Sequence, residues 1–244
     1  MTINLVNNKF LNDLSVQASA AGVARSLLIQ NTDNTNAASH AKLQITTGGA
    51  SGGDPYLSIS TTASSASVGL DNSLADTFKI ASSATVETTT NLGVLGGNVV
   101  RPLQPAFRAY RNAAADNVTG NGAWYSIIYD VENFDQNSDY STATGIFTAP
   151  ITGNYYLSTG LVLNGCDEAV LVNIGIVTTS LAYYQPFGGC TGGHYIGSHV
   201  SVVAPMTAGD TAYVRCAAVG EESNRDDMRV TEGIENFFCG YLLQ

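Results

Sequence analysis

Alternation of apolar and polar positions with a period of two runs through the C-terminal part of the chain. Tyr125, Ile127, Tyr129 and Val131 fall on one side of an extended segment, and Tyr155, Leu157, Thr159, Leu161 and Leu163 on one side of another. Val170, Val172, Ile174 and Ile176 repeat the pattern, as do Ala212, Val214, Cys216 and Ala218. Side chains two apart share a face of a strand, so each set predicts a strand with one side turned to a core. Pro150 with Gly153, Asn164-Gly165, Ala208-Gly209-Asp210 and the Asn121-Gly122 pair inside Asn117–Gly122 supply the turns. With no long helical stripe between them, the segments predict an all-β, antiparallel sandwich. Two stretches between strands read as long loops, Tyr183–Tyr195 and Glu221–Arg229, and a further loop spans Glu132–Tyr140. Loops carried on a rigid sandwich are the usual seat of recognition.

The first hundred residues read differently. Residues 1–24 form an attachment segment in which Phe10, Leu14, Ala18 and Ala21 approximate one short helical stripe. From residue 25 to 98 the apolar residues come in islands, Leu27–Ile29, Leu43 with Ile45, Leu57 with Ile59, Val68 with Leu70, and Phe78 with Ile80, separated by Ser, Thr, Asn and Gly. Strands this short bury too little to offset the ordering of the backbone, so the region predicts a β-rich shaft or anchor interleaved with identical copies around a threefold axis. Asn91–Gly97 and Arg101-Pro102 read as the boundary before a head at residues 103–244.

Two stretches carry family resemblances. Gly145, Phe147, Ala149, Pro150, Gly153, Tyr155, Leu157 and Ser158, followed at the C-terminus by Phe238, Gly240, Leu242 and Leu243, resemble the globular head of complement component 1q. That family shares the tumour-necrosis-factor-like jelly roll. The resemblance implies a jelly-roll head opening on a strand at Pro105–Tyr110, no enzymatic activity, and a homotrimer joined through the sheet faces that carry the two terminal strands. Separately, Gly53-Asp-Pro-Tyr-Leu, Ser67-Val-Gly-Leu-Asp-Asn-Ser73 and Asp76-Thr-Phe-Lys-Ile80 resemble a segment common in bacteriophage tail-fibre and other virion-appendage proteins. The order and spacing of Asp54, Asp71, Asn72, Asp76, Phe78 and Lys79 carry it.

Charge narrows the partners. The chain has 244 residues and a net charge of −10, with 44% hydrophobic and 12% charged residues, which suits a sizeable buried core. Residues 1–100 carry four Lys/Arg against six Asp/Glu, and residues 103–244 five against fourteen. An acidic head repels a phosphate backbone, so nucleic acid is not an expected partner. No apolar run is long enough for a membrane helix and no secretory signal is recognisable at Met1–Phe10, so membrane insertion is not expected and export is expected to follow host lysis. The four cysteines, Cys166, Cys190, Cys216 and Cys239, lack zinc-site spacing. Cys216 and Cys239 read as small buried hydrophobes and all four as free thiols, with a Cys166–Cys190 bridge as the alternative.

Each candidate site has a plainer reading beside it. Gly49-Ala-Ser-Gly-Gly53 fits a nucleophile-elbow spacing, but Asp54-Pro55 blocks the helix such a serine needs, and no catalytic residue is assigned. His194 and His199 fall on opposite faces of a strand and make no metal pair. The acidic groups Asp130/Glu132/Asp135/Asp139, Asp167/Glu168 and Glu221/Glu222/Asp226/Asp227 offer oxygen ligands for calcium but lack a calcium-loop spacing, so no cofactor is assigned and solvated acidic loops are the plainer reading. Tyr183, Tyr184, Phe187 and Tyr195 offer stacking surface suited to a sugar or protein, with packing between subunits as the competing reading. Together with Glu221, Glu222, Asp226 and Asp227 they are the candidate receptor-binding residues.

These readings converge on a structural protein of a phage virion, assembled in the host cytoplasm and released by lysis. It is expected to be a homotrimeric fibre anchored to other virion proteins through its N-terminal region, with a head that binds a host-surface glycan or protein. A capsid or neck decoration protein without receptor binding, and a secreted bacterial lectin, are the alternatives.

Overall fold

The computed structural model describes residues 27–48, 52–87, 91–113, 115–166, 169–189, 194–220, 226–228 and 235–243; the side chains of Cys166, His194 and residues 226–228 are not included. The attachment segment 1–24, Gly49 to Ser51 of the elbow-like pattern, Cys190, Glu221 and Glu222 lie outside the described residues. Among those described there is no α-helix, and so none long and apolar enough to cross a membrane.

Among the described residues eighteen strands make three sheets. The first sheet contains β1 (Tyr56–Ser60), β2 (Ser65–Asp71), β3 (Thr77–Ala81), β4 (Leu92–Leu95) and β5 (Asn98–Val100), paired in that order. The islands at Leu57, Val68 and Phe78 are therefore strands, as expected. Leu27–Ile29 and Leu43 with Ile45 are not; they lie on an exposed stretch that joins no sheet. The expected boundary at Asn91–Gly97 is instead largely strand. It forms a β4–β5 hairpin turning at Gly96 and Gly97, whose φ values of 55° and 83° suit residues without a Cβ. The sheet thus runs past residue 98 to Val100.

A single turn of 3-10 helix, Asn72–Leu74, joins β2 to β3, and Asp71 caps it by accepting from the Leu74 amide at 3.0 Å. Asp71 also takes the Ser73 hydroxyl at 2.6 Å and an ion pair from Lys79. Both charged residues are buried, 2% exposed for Asp71 and 3% for Lys79. Burial alone would raise the Asp71 pKa, but Lys79, Ser73 and the Leu74 amide together hold it below the usual carboxylate value.

The remaining strands build a two-layer sandwich. They are β6 (Ala106–Tyr110), β7 (Ala115–Thr119), β8 (Tyr125–Ile127), β9 (Val131–Asp135), β10 (Tyr140–Ser141), β11 (Ile146–Thr148), β12 (Gly153–Cys166), β13 (Leu171–Thr178), β14 (Ala182–Gly188), β15 (His194–Met206), β16 (Thr211–Val219), β17 (Asp226–Met228) and β18 (Phe237–Leu242). One layer orders β10-β11-β16-β13-β14, with β8 on β16; the other orders β7-β17-β12-β18-β6-β9, with β15 on β12. Every strand ladder is antiparallel.

The alternation read from the sequence sets which side is inside. Tyr155, Leu157, Thr159, Leu161 and Leu163 of β12 are all buried and face Val172, Ile174 and Ile176 of β13 and Ala212, Val214, Cys216 and Ala218 of β16. At one end Phe107 stacks on Tyr140 and Phe147, with centroids 5.1 and 4.7 Å apart, and meets Phe238 edge-on at 5.0 Å. Thr159 is the polar member of this core. Its hydroxyl donates to the Phe237 carbonyl at 2.7 Å and so accepts from the buried Tyr129 hydroxyl at 2.9 Å, satisfying both. Gly240 is required by this packing, because a Cβ there would lie 2.6 Å from Leu157 Cδ2.

Three sequence expectations need correction. Glu132–Asp135, which read as the start of a loop, belong to edge strand β9, and Val131, which reads as the end of the strand at Tyr125, instead opens β9; β8 stops at Ile127 and pairs with β16 in one layer, while β9 pairs with β6 in the other. Residues 182–188 are strand β14, a hairpin partner of β13, so the Tyr183–Tyr195 stretch is loop only in part. Cys239 shares its face with Phe237 and Tyr241 as read, but that face is the outer one. The buried face of β18 carries Phe238 and Gly240, and Cys239 is only half-buried.

Candidate functional site

The antiparallel pairing of β14 with β13, and of β13 and β8 with β16, lays Tyr184, Gly175, Arg215 and Ser126 in one row on the outer face of the first layer. A Cβ at Gly175 would overlap the Tyr184 ring, so glycine lets that ring fold down across β13 towards Arg215. Trp124, just before β8, closes the group. The Trp124 and Tyr184 rings are 4.9 Å apart with a 36° tilt. The Arg215 guanidinium carbon lies 4.4 Å from the Trp124 centroid and 5.2 Å from that of Tyr184. Both rings stay open to solvent, Trp124 at 44% and Tyr184 at 38% exposure. Arg215 is half-buried and its Nε has no hydrogen-bond partner among the described residues. Two partly exposed rings beside a cation form a platform able to contact a sugar or aromatic group and to meet an acidic or carbonyl oxygen.

The four aromatic candidates do not form one surface. Tyr183 and Phe187 alternate with Tyr184 on β14 and pack against the core. Tyr195 opens β15 and stands on the outer face of the opposite layer. Only Tyr184 joins the platform, through partners that the sequence reading passed over. The available signals were the chain's single tryptophan next to an alternating strand and a lone arginine at an outward position of β16.

Of the acidic candidates, Asp226 and Asp227 lie on β17, which pairs with β7 and the far end of β12; their side chains are not described. Asp130 accepts the Asn112 amide at 2.8 Å, and Asp135 the Tyr140 amide at 2.8 Å, so both serve turns. Burial, with a smaller contribution from the neighbouring Asp135, pushes the Asp139 pKa up, against a hydrogen bond from Asn137. Among the described residues no three His, Cys, Asp or Glu side chains converge as a metal site would need. His199 faces outward from β15 and its Nε2 lies 2.8 Å from the Ser158 hydroxyl, while the inner face carries Val200 and Val202.

The outer face of the second layer is apolar and aromatic. Tyr156 and Tyr241 pack with centroids 5.3 Å apart, Val203 and Phe134 are exposed, and Arg108 lies over Phe237 at 5.3 Å. This face carries β6 and β18, the first and last strands of the sandwich.

Residues 106–243 match the C1q domain family, which is more than half of the chain, and the chain belongs to that family. The C-terminal unit is a C1q/tumour-necrosis-factor-like jelly roll; domains of this kind bind ligands and receptors and do not catalyse reactions, in agreement with the non-enzymatic expectation. Among solved structures, the globular domain of zebrafish complement 1qA protein aligns at 18% identity over 58% of this chain and 98% of its own, with a TM-score of 0.44. Murine APRIL at pH 8.5 aligns at 10% identity over 57% and 99%, with a TM-score of 0.42. No curated protein matches the chain.

Proposed function

We propose that the chain is a homotrimeric virion appendage of the phage-fibre type, with residues before the sandwich attaching to other virion proteins and the C1q head binding a host-surface glycan or protein. The head's apolar outer face around Tyr156 and Tyr241 is the surface proposed to join copies. It leaves the Trp124–Arg215–Tyr184 platform on the opposite side of the sandwich, free to meet a receptor. The observation that carries the reading is that platform: two solvent-facing rings and a cation held together by a hairpin and a glycine. Three such platforms on one particle-bound trimer add weak contacts through effective concentration. Virion location and the phage context rest on the Gly53–Ile80 resemblance.

Adsorption of particles carrying Trp124→Ala and Tyr184→Ala to host cells tests the assignment. Adsorption is expected to fall at least tenfold with particle assembly intact. Unchanged adsorption would overturn receptor binding at this platform and favour a decoration protein.

A further inference from the structure

The N-terminal sheet is inside out. On one face the alternating positions of all five strands are apolar, and Leu57, Ile59, Leu70, Phe78, Ile80 and Val99 are each between 38 and 65% exposed. On the other face Ser67, Asp71, Thr77 and Lys79 are at most 3% exposed. A sheet in water normally does the reverse, since burial stabilises apolar surface and desolvating an ion pair costs free energy. Here the polar side is already committed to the chain's own interior, so the sheet has no way to turn its oily side in.

We propose that this apolar face docks against the same face of other copies of the chain, making the N-terminal sheet a self-association surface separate from the head. The inference rests on the chain being an oligomer and not on any receptor. Three observations select a copy of the chain as occupant. The face carries no charged residue, so a symmetry axis can set it against itself without like-charge repulsion. Its exposed side chains offer about 600 Å², approaching the roughly 800 Å² per partner of a stable interface and at the upper end of what the largest patch of a monomer presents. The chain also bears a second apolar and aromatic outer patch around Tyr156 and Tyr241, with Arg108 at its side, so copies that meet at one are held near each other at the second.

Cysteine cross-linking of the full chain tests this. Leu70→Cys, Phe78→Cys and Ile80→Cys place thiols on the apolar face, and Ser58→Cys places one on an exposed position of the opposite face. All four sites are at the surface of a single copy, and circular dichroism confirms folding. At least one of the three is expected to give covalent dimers on mild oxidation, at least tenfold above Ser58→Cys and the parent chain. All three are expected to react more slowly than Ser58→Cys with an aqueous maleimide. Dimer yields no greater than the control, or outward thiols that react freely in the assembled protein, would overturn the proposal and leave the face to a different partner. Host adsorption is scored separately, so loss of the receptor reading leaves this result standing.

Discussion

Lys79→Met removes the cation from a pair that the fold has taken out of water. Asp71 would keep the Ser73 hydroxyl and the Leu74 amide but lose its only described countercharge, at a site 2% exposed. Removing one partner of a buried pair costs roughly 3 to 5 kcal/mol, and the two retained hydrogen bonds place this case near 3 kcal/mol. Because every 1.4 kcal/mol is tenfold, hydrogen exchange of the β2 and β3 amides should accelerate roughly a hundredfold, read by mass spectrometry on peptides spanning Ser65–Ala81. Adding Asp71→Asn removes the stranded charge while keeping an acceptor for the Leu74 amide, and should recover more than half of the loss. The pH dependence has a defined sign. The folded Asp71 pKa lies below the ordinary 3.8, so its stabilisation is present above that value and is lost as pH falls through the lower, folded one. Acceleration of less than about fivefold would equal the yield of an exposed ion pair and refute the reasoning, as would a double variant no better than the single.

Two further outcomes are expected. Thr159→Val keeps the shape of the core but leaves the buried Tyr129 hydroxyl only its longer bond to the Gly160 carbonyl at 3.5 Å, and should cost about 1 to 3 kcal/mol in denaturant unfolding with little change in oligomeric state. Gly175→Ala should lift the Tyr184 ring off β13 and break the stack on Trp124; since Trp124 is the chain's single tryptophan, its emission should shift to longer wavelength without loss of β-sheet signal.

The sandwich was legible because its information is local and periodic. Phe147, Tyr155, Leu157 and Phe238 alternate with outward residues, and the glycine and proline positions between them fix where strands stop. What escaped was pairing at the margins. Leu92–Val100 reads as linker because Gly93, Gly96 and Gly97 dilute its apolar residues, yet the hairpin forms because β3 offers an open edge. Tyr183–Phe187 reads as loop because Gln185 and Pro186 interrupt its pattern, although an edge strand tolerates both. The platform escaped for a different reason. Trp124, Gly175, Tyr184 and Arg215 lie far apart in sequence and meet only through the registers of β8, β13, β14 and β16, which no single segment encodes. The inverted N-terminal face was visible as alternation, but which side would be buried depended on the Asp71–Lys79 pair.

The first strand of the head lies beside its last, Ala106–Tyr110 against Phe237–Tyr241 across five residue pairs. Tension arriving along the chain from the N-terminal side therefore pulls β6 lengthwise past β18. In that geometry the rungs share the load and must yield together, whereas strands peeled apart at one end would open a rung at a time. A head tethered this way resists tugging best along the direction in which its own chain would transmit the pull.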